Sequence, residues 1–523
     1  MDAVRTAFDV FGIAAVAYFA ALNLTYIAFT GLAWRSLMAH LRARRFSGVN
    51  EALASPLTPP VSMLLPAYNE EACIVEAVHS LLALRYPEHE VVVVNDGSTD
   101  GTVARLTEAF DLVPVDKALR DSVDTRAVRG AYVSRREPQL WLIDKENGGK
   151  SDALNAGLSA ARYPYVCAVD ADAILEEDAL LRVAKPIIDD PDLVVAAGGI
   201  VRIANGCIVD RGQVLDVRLP KSRLATFQVI EYFRAFLVGR VGWSRLKSLL
   251  IISGAFGLFR RDAVEAVGGW RTDTVGEDAE LVVRMHRHMR ERDEEYRIEF
   301  VPDPVCWTEA PESMRVLSRQ RRRWQRGLAE TLWKHRTMFG RPRYGTLGMV
   351  ALPYFVLFEL IGPVIQLASF FVLPVAFVFG MLDVAILVAF AIVAVLLGVL
   401  LSVAALALEE FSFRRHLHRV DVVRMLIYAV VENFGFRQLV DFWRLQGLVD
   451  VVRRRKGWGD MKRRGFAALT PVETIRLDSG PPPSESVPVV SASESVPVAS
   501  ASGSGRDRAV DEPVQRPSEF LRR

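Results

Sequence analysis

Two long stretches of this chain carry almost no charge, and they limit what it can fold into more than any other feature. Between Val10 and Ala33 there is no Asp, Glu, Lys or Arg, and from Leu347 to Leu408 the only charged residues are Glu359 and Asp383. A helix of about 20 apolar residues crosses a bilayer core. Three spans are therefore expected, at 10–33, 352–379 and 384–408, with a tight turn near Gly380 and Asp383 between the last two. Pro353, Pro363 and Pro374 make the middle one either a kinked span or an interfacial piece followed by a shorter span. The first stretch is too long for a leader h-region, follows Asp2 and Asp9, and precedes no A-x-A site, so it reads as a retained anchor. Arg35, Arg42, Arg44 and Arg45 follow the first span, and Arg414, Arg415, His416, His418 and Arg419 follow the last. The positive-inside rule then puts the N-terminus outside and both basic sides, with the C-terminus, in the cytosol.

The rest of the 523 residues divides around these spans. Residues 1–57 read as the first span and a basic linker, 58–345 as a cytosolic domain, 346–410 as the later spans, 411–468 as an amphipathic membrane-associated region, and 469–523 as a disordered tail. Arg424, Glu432, Arg437, Asp441 and Arg444 are too many charges for a lipid-facing span, and Arg453, Arg454, Arg455 and Lys456 close that segment. The tail, with SESVPV twice, is too poor in bulky apolar residues to bury a core. Lys plus Arg number 64 against 62 Asp plus Glu, which excludes a bulk electrostatic case for nucleic acid. Cys73, Cys167, Cys207 and Cys306 are scattered without zinc spacing and read as reduced core residues.

Within 58–345, short β-branched runs such as 61–66 and 90–95 alternate with amphipathic helical patterns such as 70–84. That is the βαβ pattern of an α/β domain with a mostly parallel sheet, whose ligands gather at the strand carboxyl ends. The residues just after strands are accordingly the ones to weigh. Tyr68 and Glu70 follow the first run, and the tyrosine could stack on a base or brace a ribose. Asp96 follows the second, where it could accept from a uracil N–H or ribose hydroxyls, though Asp96 and Asp100 equally suit turn formation and capping. Lys150 opens a helix after a Gly pair, a place for phosphate or simply for a solvated lysine. Asp170 and Asp172, two apart at a strand end, would suit Mg²⁺ or Mn²⁺ shared with a diphosphate, or an acidic helix cap. Glu277 and Asp278 start another helix, where acids stabilise without any function, yet Asp278 could serve as a general base. Arg315, Arg319, Arg321, Arg322, Arg323 and Arg326 surround Trp324; anionic lipid would explain most of them, but not Gln320 or Trp324, which suit a sugar or diphosphate site.

Taken in order, PAYNE, NDGSTD, GGKSDALN, DAD, SGAFGLFRR, GED and QRRRW before a membrane span resemble the family-two glycosyltransferases of GT-A fold, specifically the membrane-embedded processive synthases of β-linked polysaccharides. The resemblance runs from about Val61 to Gly327 and, through ENFGFRQL, WRLQG and KGWGDMKRRGF, is greatest to bacterial poly-β-1,6-N-acetylglucosamine synthase-like proteins. It implies a Rossmann-like, mostly parallel GT-A domain in the cytosol, about three transmembrane helices and amphipathic interface helices. By that resemblance Tyr68, Glu70, Asp96, Lys150, Asp170 and Asp172 bind the nucleotide sugar, Asp170 and Asp172 hold the metal, and Asp278 is the catalytic base. Glu277, Gln320, Arg323 and Trp324 lie by the acceptor and diphosphate. The expected reaction is inverting transfer from a UDP-sugar, N-acetylglucosamine foremost, to a growing polysaccharide at the inner face of the plasma membrane, with coupled export. A lipid-linked acceptor, a hyaluronan-, chitin- or cellulose-type product, a small membrane partner subunit and a non-enzymatic nucleotide-sugar scaffold stay open. GED stands where several relatives have T-E-D.

Overall fold

The computed structural model describes residues 2–44, 58–210, 213–413 and 419–453. Arg45, Arg414, Arg415, His416, His418, the basic run from Arg454, KGWGDMKRRGF and the tail at 469–523 lie outside the described residues.

The apolar runs become strands because each is short, rich in β-branched residues and bounded by turn formers. The described strands are β1 (Val61–Ala67), β2 (His89–Asn95), β3 (Leu112–Val115), β4 (Val128–Ser134), β5 (Leu140–Lys145), β6 (Tyr165–Val169), β7 (Ala173–Leu175), β8 (Val194–Ile203), β9 (Ile208–Asp210), β10 (Gln213–Asp216), β11 (Phe256–Arg260) and β12 (Arg297–Thr308). Ten of them form one sheet in the order β3-β4-β5-β2-β1-β6-β11-β8-β12-β7, and β9 pairs with β10. The middle strands β5, β2, β1 and β6 run parallel, as β12 does to β8. Antiparallel pairings involve β3, β4, β11 and β7. This is the Rossmann-like α/β layout that the sequence pattern implies. Val91–Val94 of β2 are fully buried, the continuous rather than alternating burial of a strand covered on both faces. Register brings Ala67 opposite Asn95 and Asn95 opposite Asp144, so the chain leaves β1, β2 and β5 at one edge. Asp170 leaves β6 at the same edge. All four cysteines are buried with no disulfide between them.

On the apolar side, Asp2–Arg42 and Val384–Ser412 are each long and apolar enough to cross a membrane. Leu347–Leu360 and Gly362–Val378 would make a third crossing if counted as one span, bent by 42°. The bend falls at Ile361, just before Pro363, whose ring fits only the first turn of a new helix. The turn after Gly380 is held by Asp383, which accepts from the Ala385 N–H at 2.8 Å and donates its own N–H to Asp9 of the first helix at 3.1 Å. Deeper in, the Asn23 amide donates to the Val393 carbonyl at 2.9 Å and to its own helix at Phe19.

The charges that argue against a lipid-facing span between 422 and 452 have partners within the protein. The chain forms two helices there, Arg419–Val431 and Phe436–Val452. Glu432 accepts from Arg234, from Arg437 at 3.0 Å and from Ser402 at 2.8 Å, and Arg444 bonds Glu359 at 2.8 Å.

Candidate active site

The loops at the sheet edge are built around one buried cation. Lys145, the last residue of β5, is fully buried and holds Asp96 at 2.7 Å and Asp152 at 2.6 Å. Asp96 also holds the following turn: Gly148 N–H donates to Oδ1 at 2.9 Å and Gly149 N–H to Oδ2 at 2.7 Å. Gly149 has φ +87°, a conformation in which a side chain is strained, and it delivers Lys150 to the first position of the Lys150–Ala160 helix. Asp96 therefore shapes the turn that presents Lys150, and it has no face on the large cavity described next. Tyr68, half exposed, and Glu70, whose carboxylate lies 3.1 Å from the Cys73 thiol, also lie outside that cavity.

The other candidates converge. A cavity of about 840 Å³ is lined by Lys150, Asp170, Asp172, Glu277, Asp278, Gln320, Arg323 and Trp324 together. Lys150 Nζ lies 2.6 Å from Asp170 and 3.2 Å from Glu277. Burial works against its charge, but Asp170 and Glu277 more than compensate and push the ammonium well above its usual range. Asp278 starts the Glu277–Glu291 helix; its Oδ1 accepts from the Ala279 N–H at 2.8 Å and its Oδ2 from the Gly254 N–H at 3.4 Å. Burial, then the charge of Glu277, raise its carboxyl to about 6 against the pull of Lys150. Among the described residues no group of three or more His, Cys, Asp or Glu could enclose a metal. Asp170 and Asp172 nonetheless offer hard carboxylate oxygens to the same cavity, the donor type that suits a divalent ion.

Helix Met314–Lys334 carries the QRRRW motif along the cavity. Its arginines are largely committed within the protein: Arg321 to Glu231 through two 2.8 Å bonds, Arg322 to Asp450 at 2.6 Å, and Arg326 to Glu330 at 3.5 Å. Arg315 and Arg319 are the exposed ones. This helix touches the start of the Asp278 helix backbone to backbone. A Cβ on Gly327 would meet Gly276 Cα at 2.9 Å, and one on Gly276 would meet Gly327 Cα at 3.0 Å. Gly327→Ala must therefore push the two helices apart. Overpacking of this kind costs about 1–3 kcal/mol, so the variant is expected to unfold at a lower temperature, which thermal unfolding checks.

Sequence reasoning missed Glu231, Tyr232, Arg240, Glu309 and Arg444, all of which line the same cavity. Each lies in or beside a long element with no local motif around it. Only the separation of partners in space, such as Arg444 with Gln325 at 2.9 Å across 119 residues, reveals them.

Acids and a lysine thus gather at the carboxyl edge of an α/β sheet that adjoins long apolar helices. Residues 62–268 match the family model Glycosyl transferase family 2. It is 30% identical over 275 residues to a poly-beta-1,6-N-acetyl-D-glucosamine synthase of Staphylococcus epidermidis, covering 52% of this chain and 55% of that one. To the enzyme of the same name from Staphylococcus aureus (strain COL) it is 32% identical over 277 residues, with the same coverage. The chain thus spans about half the length of the curated relatives it matches. Similar solved structures include a mannosyltransferase from Pyrobaculum calidifontis with GDP-Man and Mn²⁺ (TM-score 0.47, 20% identity, 84% of this chain and 100% of that). Another is glucosyl-3-phosphoglycerate synthase from Mycobacterium tuberculosis (TM-score 0.34, 16% identity, 55% of this chain and 84% of that).

Proposed function

We propose that this protein transfers a sugar, N-acetylglucosamine foremost, from a UDP-sugar to a growing β-linked polysaccharide at the inner face of the membrane. The convergence of Lys150, Asp170, Asp172, Asp278 and Trp324 on one cavity carries the reading. The nucleoside lies over the ends of β1 and β2, by Tyr68, Glu70 and Asp96. Lys150 meets the phosphates. Asp170 and Asp172 would hold Mg²⁺ or Mn²⁺, which when bound neutralises charge on the departing diphosphate. Asp278 takes the proton from the acceptor hydroxyl, whose oxygen attacks the anomeric carbon as the bond to UDP breaks, inverting an α-linked donor to a β-linked product. Trp324 offers its indole face to the acceptor sugar, with Gln320, Arg323 and Glu277 around the acceptor and diphosphate. The cavity is also lined by Phe355 and Glu359 of the bent helix pair, which supports export of the product along a protein-lined path that satisfies its hydroxyls. Helices Arg419–Val431 and Phe436–Val452 then lie at the inner membrane surface.

Incubating purified protein with a panel of UDP-sugars, with and without a chelator, and sizing the product tests this. Metal-dependent UDP release with a polymeric product is expected from UDP-N-acetylglucosamine. Single-sugar products would favour a lipid-linked acceptor, and no release from any donor would overturn the reading.

The pH profile should follow the base. Asp278 works only as the carboxylate, and burial has raised its pKa to about 6, so activity is present above that value and lost as pH falls through it. Below pH 6 the rate is expected to drop about tenfold per pH unit. An acid limb near pH 4, the ordinary carboxylate range, would remove Asp278 from this role.

A further inference from the structure

Glu231 has no place in the chemistry above, yet it stands in the same cavity wall. It ends the Arg223–Tyr232 helix, just before the π-helical segment Phe233–Arg240. Its two oxygens accept from both terminal nitrogens of Arg321 at 2.8 Å, a fork-to-fork pair that fixes the guanidinium plane as well as its position. Arg321 is 3% exposed, and its guanidinium carbon lies over the Trp324 ring, 4.4 Å from the centroid. One face of the indole is therefore covered by this cation, while the side chain as a whole stays 43% exposed. The helix does not need this pair in order to dock: Arg322 binds Asp450, and Gly447 approaches so closely that a Cβ there would meet the Arg322 carbonyl oxygen at 2.7 Å.

We propose that Glu231 is a positioning residue: through Arg321 it sets the plane of Trp324, and thereby how firmly the acceptor end of a β-linked saccharide is held between additions. The proposal rests on the transferase reading for its substrate, but its first link, from carboxylate through guanidinium to indole, stands on geometry alone. Removing the carboxylate frees the guanidinium to turn and the indole to change rotamer. The site would still bind donor and still have its base, but the acceptor would leave sooner.

The test uses the full-length protein in lipid nanodiscs, with UDP-N-acetylglucosamine as donor and short N-acetylglucosamine oligomers as acceptor. Glu231→Gln is expected to raise the acceptor KM by about tenfold and to shorten the product, with donor KM and the rate of a single addition changed by less than about threefold. In an Arg321→Gln background, Glu231→Gln should add nothing further, because both act along one path. A spectroscopic arm needs no activity. The emission of Trp324, taken as the difference between each protein and its Trp324→Phe counterpart, should shift on Glu231→Gln and not shift again when Arg321 is already replaced. A fall in kcat at unchanged acceptor KM, additive effects of the two substitutions, or an unmoved Trp324 difference spectrum would overturn the proposal. If the wild-type protein releases no UDP from any donor, the transferase reading fails, and the Trp324 spectrum still decides whether Glu231 sets the indole.

Discussion

Replacing Asp278 with Asn is expected to lower sugar transfer by about 10²–10⁴-fold, the usual contribution of a positioned general base. Asn keeps the shape of the side chain, and its one oxygen can still accept from the Ala279 N–H, although its amide nitrogen cannot replace the longer bond that Gly254 donates to Oδ2. What it cannot do is take a proton from the acceptor hydroxyl. UDP binding, which the proposed function assigns to Lys150 and the strand-edge loops, should survive almost unchanged. Initial rates of UDP release measured beside equilibrium UDP binding separate the two effects. Turnover within about tenfold of wild type would pass the role to Glu277, the other carboxylate at this helix start.

The second large effect is on stability. Lys145→Met removes the ammonium that pairs with both Asp96 and Asp152 while leaving their carboxylates in place. Taking one member from a buried ion pair costs about 3–5 kcal/mol, because the charge left behind has lost both water and its counter-ion. A drop in Tm on the order of 10 °C is expected. Adding Asp152→Asn should recover part of that loss by deleting one of the two stranded charges. Thermal unfolding of the single and double variants measures both steps. An unchanged Tm in Lys145→Met would mean that the turn at Gly148 and Gly149 is held by its backbone alone.

Much of this protein was legible because its chemistry is written in short motifs next to structural punctuation. NGGK, DAD and GED each sit where a strand ends or a helix begins, so turn signals and acid or lysine positions point to the same edge. QRRRW could be grouped with the acids, and Gln320, Arg323 and Trp324 line one cavity with them, yet the work of its other arginines was not legible. A run of arginines on an amphipathic helix invites a lipid surface, whereas Arg321 and Arg322 are matched by Glu231, 90 residues earlier, and Asp450, 128 residues later. Asp96 shows the same limit: nothing local announces its bonds to Lys145 and to two glycine N–H groups, whichever ligand it also meets. Pair partners far apart in the chain leave no periodicity behind. Only packing reveals them.

The hydrogen bond from Asn23 to Val393 joins residues separated by 370 positions. A ribosome adding about 5–20 residues per second needs roughly 20–70 seconds to make that much chain. Of the two carbonyls its amide meets in the fold, only that of Phe19, one turn back in its own helix, exists during that interval. The first helix thus waits for a segment made much later before its amide is fully satisfied, and this part of the bundle can lock only once Val393 has been made.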